Sequence, residues 1–148
     1  MPEQDEKSDT SIVSCCSLDK HVDRLRSEHA ARLLTWHALA RRISEELRRG
    51  SPSALDTCQR ATNQSVPTLR RWAFAGRRLS SSAIADLANW RDSSGRSLSI
   101  SHLVELARFT ATRRKAILDA MQGALWPVVR LRAATRPKGR VGGTGTPE

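Results

Sequence analysis

The chain is 148 residues long and 39% hydrophobic, with 25 Lys+Arg against 15 Asp+Glu and a formal net charge of +10. That size suits one domain, or two very small ones, with a modest core, and the charge points to an acidic partner, usually nucleic acid. No apolar run approaches the roughly 18 residues of a membrane span, and three cysteines, two of them adjacent, do not make a disulfide framework.

Charge and order change along the chain. Residues 1–29 hold seven of the acids and four of the bases, net −3, which leaves +13 from Ala30 onward. Residues 1–17 are polar, aperiodic and acidic, so a disordered tail is expected there. This opening lacks the form of a secretory signal, and a cytoplasmic protein is expected. Only four of the 25 bases are lysines. Arginine dominance suits bidentate contact with phosphate or guanine. A GC-rich coding sequence would give the same ratio, but not the net charge.

The first helix is expected over 18–50, ended by Gly50 and by Pro52 just beyond. Leu18, Val22, Leu25, Leu33, Trp36, Leu39, Ile43 and Leu47 follow one helical face, interrupted by His29 and Arg32. A helix of this length exceeds what so small a body can bury. Its first half is therefore expected to pair with a second copy as a homodimer. Two helices with a bend near Ala30 fit the same pattern.

A short helix follows from Ser53 to about Ala61, with Ala54, Leu55, Cys58 and Ala61 on one face. Cys58 there reads as a small core residue. The next helix opens at Ser65 as N-cap with Pro67 in its first turn. Val66, Leu69, Trp72 and Ala73 form its buried face, Thr68, Arg70 and Arg71 point outward, and Gly76 ends it. Further helices are expected from Ser82 to Trp90, from Ser99 to about Phe109 and from Thr112 to Gly123. "RDSSGRS" turns between the first two of these, and "LWPVVRLRAAT" reads as a last helix with Pro127 in its first turn. The fold class is thus all-α, about six helices with disordered termini; 51–135 is the functional domain and 136–148 a flexible basic tail.

Two short helices joined by a brief turn, the second bearing an outward arginine pair, match a helix-turn-helix. In such a unit the first helix braces the second, whose N-terminal half enters the major groove. Residues 53–61 would support, 63–65 turn and 66–75 recognise. Thr68, Arg70 and Arg71 are the candidates for reading base edges, while Ser65, Arg77, Arg78, Arg91, Arg96, Arg113 and Arg114 are candidates for phosphate contacts, which position without specifying. A solvated basic face on an ordinary helical bundle would give the same pattern.

"SVPTLRRWAFAG" (65–76) resembles the recognition segment of many bacterial helix-turn-helix regulators, with a Ser/Pro opening, a Leu-Arg-Arg-Trp core and then Gly. "LSISHLVELARF" followed by "RRKAILDAMQGALWPVVRLR" is similar to the helical domain of ParB/KorB-type plasmid partition and repressor proteins. It also resembles helical N-terminal domains of some mobile-element proteins. The matching positions are Ser99, His102, Leu106, Arg113, Arg114, Trp126, Val128 and Leu131, and the likeness covers about 53–132. Pro127 and Val129 stand where that family's ending has Ser and Arg, so no contact by that arginine carries over. The arginine-rich nucleotide-binding segment of partition proteins is not visible, so a CTP-dependent clamp is not implied. What the resemblance implies is double-stranded DNA binding by an all-helical domain, in a transcriptional regulator or a plasmid or mobile-element accessory factor.

Other chemistry finds little support. His21, His29, His37 and His102 lie far apart, and no pair of pairs has zinc-ligand spacing, so neither metal nor cofactor is expected. His102 near Glu105 has the makings of an acid/base pair, but on a helix it more often caps or packs. No phosphate loop or nucleophile elbow is present, and an enzyme is not expected. The rival reading is a helical interaction module, an adaptor or antitoxin-like partner whose basic face meets an acidic protein. RNA binding is disfavoured because Tyr is absent and the tryptophans lie mostly on apolar faces.

Overall fold

The computed structural model describes the backbone of residues 6–50 and 52–134, and the side chains of 18–50 and 53–134. Among the described residues it is all-helical, with seven helices and one isolated bridge, Arg91 to Ser97. The helices are α1 (Glu6–Arg48), α2 (Pro52–Thr62), α3 (Val66–Arg78), α4 (Ser81–Asn89), α5 (Ile100–Leu106), α6 (Ala111–Ala120) and α7 (Val128–Ala134).

α1 is the spine, about 65 Å long at 1.5 Å per residue. It is continuous through Ala30, without the bend that two separate helices would need. It also starts at Glu6, so regular structure reaches into the segment expected to lack it. Once a helix is nucleated, each further residue adds a hydrogen bond at little cost. The basic tail at 136–148 lies outside the described residues. At the other end Gly50, at φ 75°, closes α1 by donating its N–H to the Leu47 carbonyl at 3.1 Å.

Leu33, Trp36, Ala40 and Ile43 are the buried face of α1. α2, α3 and α4 all pack against that helix, α5 packs on α3, and α7 on α5. One large core joins Trp36, Ala75, Leu79, Leu87, Leu103, Leu106 and Leu131, while a smaller one holds Ile43, Leu69 and Ala73 with half-buried Leu55 and Cys58. Trp72 borders both and meets Trp36 edge-on at 6.2 Å. Two histidines pin α1 to the connections around it: His37 Nε2 lies 2.8 Å from the Leu79 carbonyl and His29 Nε2 2.8 Å from that of Leu98.

Side chains set the helix starts. Ser65, Ser80, Ser99 and Thr110 each accept the N–H three residues on, which satisfies one of the orphan donors of a first turn. The ends differ more from expectation. α3 runs on through Gly76 to Arg78, because Gly76 is the point where α3 crosses α1 rather than a terminator. α6 stops at Ala120, before Gly123, and α5 at Leu106. In the 92–95 turn Asp92 is buried, and its carboxylate accepts the N–H groups of Ser94, Arg96 and Leu125 at 2.8–2.9 Å. This ties the turn to the connection between α6 and α7. Glu105 of α5, also buried, holds α7 through Arg132 Nε at 3.1 Å.

Candidate nucleic-acid interface

α2 and α3 meet at a three-residue turn. Asn63 takes the left-handed conformation, φ 55°, which asparagine tolerates better than most residues, and its N–H closes α2 on Gln59 at 2.9 Å. Leu55 and Cys58 of α2 pack on the cluster of Leu69, Ala73 and Ile43, so α2 braces α3 against α1.

On α3, Leu69, Ala73, Ala75 and Gly76 are buried. Pro67, Arg70, Arg71, Arg77 and Arg78 are exposed, and Phe74 is half-buried among them. At 100° per residue these six positions span an arc of about 120°, a single outward ridge. None of the ion pairs among the described residues involves Arg70 or Arg71. Phe74 lies under two guanidinium groups, with Arg77 at 5.9 Å and Arg78 at 5.7 Å from its ring centre.

A groove runs along each side of this ridge. Toward α1 it is lined by Ser44, Leu47 and Arg48 together with Arg70, Phe74 and Arg77. Arg41 stands next to it, its guanidinium donating to Ser81 Oγ at 3.1 Å. Toward α5 the groove is lined by Arg70, Arg71, Phe74, Val104 and Arg108. Arg41 and Arg48 thus border the groove toward α1, with Glu45 beside them, and Arg108, paired with Glu105 at 3.8 Å, borders the groove toward α5.

The remaining sequence candidates are scattered. Thr68 does not share the ridge: it is half-buried, lines the side toward Ser101 and Val104 of α5, and its hydroxyl lies 2.9 Å from Ser65 Oγ. Ser65 is exposed but spends its hydroxyl on capping. Arg91 is half-buried and donates to the carbonyls of Ala88 at 3.2 Å and Trp90 at 2.7 Å. Burial, then the nearby Arg26 charge, lowers its pKa. Arg26 lies 15 residues before Arg41, about 22 Å along α1, so Arg91 and its exposed turn-mate Arg96 belong to the far end of the body. Arg113 is exposed on α6. Arg114 is half-buried, donates to the Leu106 and Phe109 carbonyls at 3.3 Å, and has its pKa lowered by burial and then by Arg78.

Phe74, Arg41, Arg48 and Arg108 were not legible as site residues. Arg41, Ser44 and Arg48 do have the three- and four-residue spacing of one helix face, but nothing in the sequence says that α3 lies beside that face. His102 is a capping residue: its Nδ1 accepts the Ser99 N–H at 3.2 Å, which leaves Nε2 to donate to the Trp126 carbonyl at 2.8 Å.

No group of three His, Cys, Asp or Glu among the described residues is placed to hold a metal, and no described helix is long and apolar enough to cross a membrane. Comparison with protein-family models, curated proteins and solved structures finds no match to this chain.

Proposed function

We propose that the protein binds double-stranded DNA through α2, the 63–65 turn and α3. The observation that carries this reading is the α3 ridge, where Arg70 and Arg71 stand exposed without a carboxylate partner, with Arg41 and Arg48 on one side and Arg108 on the other. The major groove is about 12 Å wide and admits a helix, and arginine pairs bidentately with guanine O6 and N7. Arg70 and Arg71 then read base edges, while Arg41, Arg48, Arg77, Arg78 and Arg108 meet the phosphates that border the groove. The role is that of a cytoplasmic transcriptional regulator or mobile-element accessory factor. It includes a second copy of the chain, because Leu18, Val22 and Leu25 are 61%, 43% and 65% exposed on α1.

Fluorescence anisotropy on labelled duplexes tests the proposal. With about six phosphates contacted, log affinity should fall with log salt at a slope near −5. Arg71→Ala should cost about 1–3 kcal/mol and relax the preference at one base pair. A loss equal on every sequence would move Arg71 to the phosphate contacts. No binding to any duplex at low salt would end the reading.

A further inference from the structure

An open cleft lies at the C-terminal end of the α3 ridge, between α3, α4 and α6. Arg77, Arg78, Arg114 and Lys115 line it, against a single carboxylate, Asp86. Like charges brought together in a cleft cost free energy unless something offsets them. Two of these cations are held there by backbone carbonyls, not by acids. Arg78 Nε donates to the Ala107 carbonyl at 3.3 Å, and Arg114 donates to those of Leu106 and Phe109, also at 3.3 Å. Each guanidinium carries five N–H donors, so these anchors fix the groups while leaving donors for a ligand.

Two helix starts add to the same cleft. Ser80 and Ser82 come from the start of α4, Thr110 and Ala111 from the start of α6. The cap hydroxyls serve the third N–H of each helix, to Ala83 at 3.1 Å and to Arg113 at 3.2 Å. The earlier N–H groups have no acceptor within their helices, and each helix start carries about half a positive charge. We propose that this cleft is a phosphate-binding site, with Arg78 and Arg114 as fixed guanidinium donors and Lys115 as a mobile charge. The ligand is a phosphate group, either free or in a DNA backbone. The site stands whether or not α3 enters a groove.

The full-length chain, its Arg114→Gln and Lys115→Gln variants, inorganic phosphate and a duplex are the reagents. Melting is followed with phosphate or with sodium chloride at equal ionic strength, and duplex affinity is followed against salt. Phosphate should raise the wild-type midpoint by a few degrees more than chloride does, and both variants should reduce that difference. A duplex source shows instead as a salt slope smaller by about 1 in each variant. Either result supports the site, and together they identify the phosphate's source. Lys115 is exposed, so its variant remains informative if Arg114→Gln misfolds. Equal stabilisation by phosphate and chloride together with an unchanged slope overturns the proposal. So does a phosphate effect that survives in Lys115→Gln and in a folded Arg114→Gln.

Discussion

An alanine at position 76 would place its methyl carbon 2.6 Å from the Ala40 carbonyl carbon and 2.7 Å from the Arg41 nitrogen. In an open helix, replacing glycine by alanine stabilises by about 1 kcal/mol. Here the neighbours are backbone atoms of a rigid helix, so the sign reverses, and the overpacking should cost about 1–3 kcal/mol. Urea unfolding of Gly76→Ala checks this, and a variant as stable as the wild type would remove the close crossing. Asp92 gives the pH counterpart. Burial acts to raise its carboxyl, but the N–H groups of Arg96, Leu125 and Ser94 outweigh that, and the net shift is downward. A carboxyl lowered in the folded state contributes stability that is present above its unfolded value, about 3.9, and lost as pH falls through the folded value. Acidification below about pH 4 should therefore shed a contribution that Asp92→Asn has already lost. Melting midpoints of the two chains should converge at low pH, and parallel curves down to pH 2 would exclude that role for Asp92.

At the scale of helices, the caps and the two faces of α3 are legible because they depend on neighbours in sequence. Ser65, Ser99 and Pro67 signal helix starts, and the 3.6-residue period separates Leu69 and Ala73 from Arg70 and Arg71. Where α3 ends is not legible, because Gly76 reads locally as a stop while its role is set by Ala40, 36 positions earlier. Thr68 reads as outward, yet it lies about 60° round the helix from the edge of the ridge, beside buried Ala75, and only the position of α5 decides that this flank is covered. The rim on α1 is likewise a product of packing, and its contribution can be measured. Arg41→Ala and Arg48→Ala should each weaken duplex binding about equally on all sequences and lower the salt slope by about 1. Arg71→Ala, by contrast, should change sequence preference. If the α1 variants leave the slope untouched, α1 is a brace alone and the duplex meets only α3 and the α5 side.

Across the whole molecule the unresolved demand is on the first half of α1. Leu18, Val22, Leu25 and His29 continue the stripe that further on is Leu33, Trp36, Ala40 and Ile43, all within one face of the helix. The later part is covered by α3 and α4, whereas Leu18, Val22 and Leu25 are left exposed. A second copy covering this face would bury Leu18, Val22 and Leu25 over a short seam, and a dimer through it would belong to the weak class of interfaces. Sedimentation at high protein concentration should show mass approaching twice 16.4 kDa. Leu25→Asp should return the single chain, and because Leu25 is exposed it should do so without unfolding. A single-chain mass for the wild type at that concentration would leave α1 as a monomeric spine.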